Sequence, residues 1–189
     1  MSKTPARNSH HVVDDIKLGG IVTVRDRLIE KQSKGEKVFR LESGDPSFSI
    51  PPHVTAAIEK ALRDGHTHYT AGAGIKPLRD VLYRKLRESN GIAVEGPESV
   101  LVTNGAMHAL YIAFRALCVP GDEILVPDPT WTETADNVSL AGGVPVRVPL
   151  RAEDGYRYTA DTIAPYVTAA TRAIVVNSPH NPTGAVCSR

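Results

Sequence analysis

From Ser99 onward, the sequence alternates between short apolar runs and longer segments with apolar residues at helical spacing. The apolar runs predict strands over residues 100–103, 123–126, 144–148 and 172–177. The segments between them predict helices over residues 106–118, 130–140 and 160–167. Since strands that are joined through helices run parallel, this alternation predicts an α/β fold, a mainly parallel sheet with helices on both faces.

The chain before Ser99 predicts helices and loops. Helical spacing of apolar residues predicts helices over residues 22–34, 53–64 and 75–89. In the second of these, one apolar stripe is formed by Val54, Ala57, Ile58, Ala61 and Leu62. The run KVFRL, residues 37–41, predicts a short strand that leads into the loop ESGDPSFSIPP.

The composition excludes several classes of protein. The formal net charge is +1 and no long block of like charge occurs, so neither nucleic acid nor a membrane surface is expected as a partner. No apolar run approaches the roughly 20 residues of a membrane helix. Two cysteines and a polar start without a secretion signal predict a reduced, cytoplasmic location.

The stretch VTNGAMHAL predicts a strand that passes through an Asn-Gly turn directly into a helix. The N–H groups at such a helix start, here around Gly105, Ala106 and Met107, attract an anion, and a phosphate is the natural ligand. The alternative is a plain strand-to-helix turn in which the glycine serves close packing.

Trp131, the only tryptophan, follows the end of the strand over residues 123–126. Ligands of open α/β sheets bind at the carboxyl ends of the strands, where a flat indole could stack on an aromatic ligand. The alternative is an apolar anchor for the helix that follows.

The stretch AIVVNSPHNPTG delivers a strand into a turn in which Pro179 and Pro182 bracket His180 and Asn181. The prolines restrict the backbone, and an asparagine amide can orient a ligand oxygen. The alternative is a well-made turn. Together the three loops predict a pocket for a flat, phosphorylated, hydroxyl-bearing heteroaromatic ring, a description that fits pyridoxal phosphate.

The sequence resembles the class I/II aminotransferases, the fold-type-I family that uses pyridoxal 5'-phosphate. Four stretches match the family in order: LESGDPSFSIPPHV, HYTAGAGIKPLRDVL, VTNGAMHAL and NSPHNPTG. The resemblance implies that Gly105 and Ala106 bind the cofactor phosphate and that Trp131 stacks on its ring. It also implies that Asn181 forms a hydrogen bond with the ring oxygen of the cofactor and contributes to substrate binding.

Further roles follow from the same resemblance. Gly44 would lie near the substrate carboxylate, and Tyr69 would reach the cofactor phosphate of the neighbouring subunit in a homodimer. The complete enzyme would transfer an amino group from an L-amino acid to a 2-oxo acid. Residues 1–45 would form an N-terminal arm and part of a small domain, and residues 46–189 an incomplete cofactor-binding large domain.

The family's Schiff-base lysine is expected beyond Arg189, so this chain itself is expected to contain no catalytic residue and to be inactive. Alternatives are a fold-type-I lyase, decarboxylase or synthase, which share the cofactor half, or a non-catalytic truncated fragment. His180 could tune the pocket from outside the layer of residues that touch the ligand. No metal is expected, since His66 and His68 have no third ligand in view.

Overall fold

The computed structural model describes residues 11–16 and 19–187. The chain falls into two compact units. One holds the residues up to Val38 together with those from Gly105 onward, and the other holds Phe39–Asn104. None of the helices in the described ranges is long and apolar enough to cross a membrane.

The helices are α1 (Gly20–Ser33), α2 (Pro52–Arg63), α3 (Lys76–Glu88), α4 (Gly105–Leu117), α5 (Glu133–Leu140) and α6 (Ala160–Ile163). The strands are β1 (Glu123–Asp128), β2 (Val144–Pro149) and β3 (Thr171–Ile174). Single 3-10 turns cover Val12–Asp15, Pro97–Ser99 and Ala164–Tyr166.

The strands form a parallel sheet in the order β2-β1-β3, which confirms the predicted fold class. In the register of the sheet, Leu125 of β1 lies opposite Val146 of β2 and Ile174 of β3. The central strand is therefore hydrogen-bonded on both sides, and its residues Ile124, Leu125 and Val126 are fully buried. Burying a side chain of this size contributes about 1.5–3 kcal/mol, so β1 is the centre of the core.

One face of the sheet packs against α4 and α5. Ile124 and Val126 share this face because side chains alternate along a strand. They pack in one buried cluster with Phe114 of α4 and Val138 of α5, and with Cys118 and Ala141, which directly follow those helices. This cluster fixes α4 and α5 against the sheet, and the segment that precedes α5 begins at the carboxyl end of β1.

The predicted elements of the first unit are confirmed with small shifts, apart from two helix boundaries and one strand end. The helix predicted over residues 160–167 is α-helical only over Ala160–Ile163 and continues as a 3-10 turn over Ala164–Tyr166, where Pro165 has no N–H to donate. The helix predicted from residue 130 begins at Glu133, since the N–H of Thr134 donates to the carbonyl oxygen of Trp131 in a turn at 3.1 Å. Strand β3 ends at Ile174, three residues earlier than predicted. The N–H of Val175 still donates to Leu125 at 2.9 Å, so the chain leaves the sheet gradually.

The second unit is built on α2 and α3. Arg79 of α3 donates from its guanidinium to the carbonyl oxygens of Pro97 and Val100 and so holds the 3-10 turn over Pro97–Ser99. No residue of α2 is buried, and the predicted stripe leaves Ile58 and Leu62 51% and 59% exposed.

Two predicted strands are wrong. Residues 100–103 pair with no strand in the described part of the chain, and Val102 donates only to the carbonyl oxygen of Ala73, at 3.0 Å. Residues 37–41 also belong to no sheet, and Phe39 and Leu41 are exposed. Apolar β-formers are not sufficient for a strand, because a strand also needs a neighbour for its backbone groups.

Candidate functional site

An open cavity of about 710 Å³ lies at the carboxyl ends of β1 and β3. We call it the front cavity. Three segments line it: residues 106–113 of α4, residues 130–134 after β1, and residues 175–181 after β3. In a parallel sheet the loops after neighbouring strands meet at one edge, which explains why segments so distant in sequence share one cavity.

The first wall of the front cavity is the beginning of α4. Gly105, its first residue, has a φ of +81°, a conformation that glycine adopts without strain. A Cβ on Gly105 would meet no atom within 4 Å, so the glycine is needed for its backbone conformation and not for space. Ala106 and Met107 follow and line the cavity, which places the positive end of the helix dipole at this wall.

The second wall carries the half-buried indole of Trp131. The backbone carbonyl oxygen of Trp131 accepts a hydrogen bond from the N–H of Thr134, a residue that is buried at the start of α5. One turn further along α5, the side-chain amide of Asn137 donates to the carbonyl oxygen of Met107 at 3.2 Å. The segment carrying the indole is thereby tied to the first turn of α4.

The third wall is the turn over residues 180–185, which we call the Asn181 loop. The N–H of His180 donates to the carbonyl oxygen of Ala185 at 2.8 Å, and the N–H of Gly184 donates to that of His180 at 2.7 Å. The hydroxyl of Thr183 accepts from the N–H of Ala185 at 3.2 Å and lies 2.8 Å from Nδ1 of His180. The loop is closed by these bonds, and the exposed side chain of Asn181 faces the front cavity.

The described lining of the front cavity carries no formal charge, and its main electrostatic feature is the helix dipole at the start of α4. No ionisable side chain is among the described residues that line the cavity. Its walls are mostly apolar, and the lining residues with polar side-chain groups are Thr130, Trp131, Thr134, Asn177 and Asn181. Such a site suits a flat apolar ring whose polar substituents are few and fixed in direction.

A second cavity, of about 400 Å³, lies at the same end of the first unit, and we call it the rear cavity. His180 and Tyr158 both line it. Burial lowers the pKa of His180 below its ordinary value, so the imidazole is neutral near neutral pH. Burial also raises the pKa of Tyr158 to about 12, with a smaller contribution from Cys187.

The structure brings together three of the predicted site residues, Ala106, Trp131 and Asn181, with Gly105 directly before the first. Gly44 and Tyr69 belong to the second unit, where both are exposed and lie outside helices and strands. Their predicted roles stay predictions. Sequence reasoning missed Thr130 and Asn177 as lining residues, although each comes soon after a strand.

Comparison with known proteins adds an independent finding. A family model described as aminotransferase class I and II matches residues 36–189. The aspartate/prephenate aminotransferase of Thermus thermophilus is 40% identical over 174 residues, which are 92% of this chain and 45% of that protein.

Solved structures agree with this match. The aspartate aminotransferase from Thermus thermophilus with maleate superposes with a TM-score of 0.91 at 38% identity, over 97% of this chain and 48% of that one. An alanine aminotransferase from Pyrococcus furiosus gives 0.87 at 34% identity, over 96% and 47%. The chain spans about half the length of the relatives that it matches.

Proposed function

This chain belongs to the aminotransferase class I and II family, and from that premise we propose that its front cavity binds pyridoxal 5'-phosphate. The observation that carries the proposal is that Ala106, Trp131 and Asn181 line one cavity although 75 positions separate the first from the last. Each supplies a different requirement of this cofactor: a positive helix end, a flat ring and an amide.

The residues present fit the cofactor. Its phosphate suits the start of α4, where the helix dipole contributes about 0.3–1 kcal/mol toward an anion, or about 2 kcal/mol when partly buried. The indole of Trp131 can stack on the pyridine ring, which adds about 0.5–1.5 kcal/mol beyond area burial. The amide of Asn181 can donate to the ring oxygen, and the mostly apolar walls suit the rest of the ring.

We propose that the whole protein transfers an amino group from an L-amino acid to a 2-oxo acid. When bound, the cofactor carries the amino group between the two substrates and withdraws electrons from the substrate's α-carbon. The work of this chain's residues is positional. The start of α4 anchors the phosphate, Trp131 fixes the plane of the ring, and Asn181 fixes its rotation within that plane.

We also propose that the protein is a cytoplasmic homodimer in which Tyr69 serves the partner's cofactor and Gly44 lies near the substrate carboxylate. Ile58 and Leu62 lie on one side of α2, and each side chain is more than half exposed. This exposed apolar side of the helix supports an apolar interface. Sedimentation of the whole protein tests this: replacing both residues with Lys is expected to convert dimers to monomers.

The cofactor proposal is tested on this chain through its single tryptophan. Because Trp131 is the only indole, its fluorescence reports directly on the front cavity. We expect pyridoxal phosphate to quench this emission with a saturating dependence on concentration. Pyridoxal, which has the same ring without the phosphate, is expected to bind about two- to thirtyfold more weakly, since it lacks the group that the helix end attracts by about 0.3–2 kcal/mol.

A control titration excludes loss of emission that arises from light absorption by the added compound or from collisions in solution. N-acetyl-tryptophanamide, which has no free amine to react with the aldehydes, is titrated with the same two compounds and measures quenching that needs no cavity. Equal quenching of the chain by pyridoxal and by pyridoxal phosphate would show that α4 does not hold the phosphate. Quenching that never saturates would show that the front cavity does not bind the cofactor at all.

A further inference from the structure

His180 and Asn181 are neighbours in sequence, but they line different cavities. Asn181 faces the front cavity, whereas His180 lines the rear cavity and is 7% exposed. The Asn181 loop carries both residues, and it is therefore held through His180 on the side of the rear cavity. Any group that fixes the rear side of this loop also fixes the direction in which the Asn181 amide points.

The side chain of His180 makes one hydrogen bond on the rear side. Its Nδ1 atom lies 2.8 Å from the hydroxyl of Thr183, three residues along the loop. That hydroxyl also accepts the N–H of Ala185, whose carbonyl oxygen in turn accepts the N–H of His180. The imidazole is thus part of a closed ring of contacts that includes both ends of the loop.

The partners favour one direction for this bond. One lone pair of the Thr183 oxygen is used by Ala185, so the hydroxyl hydrogen is available to donate to Nδ1 of His180. Nε2 is unpaired in either direction, but the reverse direction would also leave the Thr183 hydroxyl hydrogen without an acceptor among the described residues. This difference favours Nδ1 as the acceptor, a role that the neutral imidazole has and the imidazolium lacks.

Protonation of His180 would be costly at this position. Its Nε2 atom is buried and has no hydrogen-bond partner in the described part of the chain. The titratable or charged residues that line the rear cavity with it are Tyr156, Arg157, Tyr158 and Cys187. None of them is a carboxylate that could pair with an imidazolium, and burial lowers the pKa of His180 accordingly.

We propose that His180 is a positioning residue, which accepts the Thr183 hydrogen bond through Nδ1 and so holds the Asn181 loop in the form that presents Asn181 to the front cavity. The inference rests on the proposed function for its effect on cofactor, but the hold on the loop stands on the contacts alone. It also implies a pH dependence. Cofactor affinity falls at acidic pH, where an imidazolium could no longer accept this bond.

The test compares two replacements of the same side chain. His180→Asn keeps an acceptor near the place of Nδ1, because the amide oxygen of asparagine lies at a similar distance from the backbone. His180→Leu keeps the bulk and removes the acceptor. We expect His180→Leu to weaken binding of pyridoxal phosphate about two- to tenfold, the effect of one lost hydrogen bond, and His180→Asn to restore most of the loss.

The pH profile separates positioning from simple support of the fold. In the unaltered chain, affinity for pyridoxal phosphate is expected to fall as the pH drops below the ordinary histidine value of 6.5. In His180→Asn the part of this fall that is due to histidine is expected to disappear, since asparagine does not titrate, whereas the part due to the second ionisation of the cofactor phosphate, at about pH 6, remains. A profile that is unchanged in His180→Asn would overturn the role of His180 in it. His53→Gln, on the exposed start of α2, serves as the control.

A readout without cofactor keeps this inference separate from the cofactor proposal. The N–H groups of Gly184 and Ala185 donate within the loop, so hydrogen exchange at these two amides reports on its closure. We expect faster exchange in His180→Leu and in Thr183→Ala, and normal exchange in His180→Asn and Thr183→Ser. Unchanged exchange in His180→Leu would overturn the inference, whatever the chain does with pyridoxal phosphate.

Discussion

The side-chain amide of Asn137 donates a hydrogen bond to the carbonyl oxygen of Met107 at 3.2 Å. This bond joins α5 to the first turn of α4. Trp131 lies just before α5, and Met107 lines the front cavity beside Ala106. The spacing between the indole and the positive end of α4 is therefore set by a specific polar contact as well as by the apolar cluster beneath it.

Asn137→Ala is expected to lower the free energy of unfolding by about 1 kcal/mol, the contribution of one such hydrogen bond. It is also expected to weaken binding of pyridoxal phosphate, because the phosphate and ring contacts lose their fixed spacing. Urea unfolding and Trp131 quenching measure the two effects. Asn90→Ala, an exposed change in the second unit, is the control. A loss of stability with full affinity would restrict Asn137 to a structural role.

Asn181→Ala is expected to reduce affinity for pyridoxal phosphate about two- to tenfold, because one hydrogen bond to the ring is lost. The free energy of unfolding should stay nearly constant, since the loop is closed by backbone groups, His180 and Thr183 and not by the Asn181 amide. Equilibrium dialysis and urea unfolding give the two values. An unfolding midpoint that falls with the affinity would show that the amide serves the turn.

Tyr158→Phe is expected to change how the free energy of unfolding depends on pH at alkaline pH. The pKa of Tyr158 is raised to about 12 from an ordinary value of 10.0, because burial favours the neutral phenol. The unfolded chain therefore loses this proton first, and the stability that depends on it is present below pH 10 and is lost as the pH rises toward 12. Phenolate absorbance should show one late-titrating tyrosine, absent in Tyr158→Phe and retained in Tyr69→Phe.

Gly74→Ala tests the packing of the second unit. Gly74 has a φ of +100°, and a Cβ there would lie 2.5 Å from Cγ2 of Val102. Strain at positive φ costs about 1 kcal/mol and overpacking about 1–3 kcal/mol. Gly35→Ala is the matched control, since φ is +79° and no atom lies within 4 Å. Equal losses of stability in urea unfolding would show that Val102 does not contact Gly74; a larger loss at Gly74 supports the contact.

Much of this architecture could be predicted from sequence because its signals are local. The spacing of Leu110 and Phe114 marks α4, and the run at Ile124–Val126 marks β1, whose burial on both faces makes it continuously apolar. The site followed from the same logic. Trp131 and Asn181 come after neighbouring strands, and the carboxyl ends of parallel strands meet at one edge.

Other features depend on partners that are distant in sequence. The run at residues 100–103 has the composition of a strand, yet no described strand pairs with it. The rear cavity joins Tyr158 to His180 across 22 positions, and neither residue carries a signal for the other. Burial raises one pKa and lowers the other, and burial is set by tertiary packing that local patterns do not contain.

The most direct test is a crystal structure of the chain grown with pyridoxal phosphate. The account predicts the phosphate at the start of α4 beside Gly105 and Ala106, the pyridine ring against Trp131, and the ring oxygen about 3 Å from the amide of Asn181. Density for the cofactor elsewhere, or a ring that leaves Trp131 and Asn181 without contact, would contradict it.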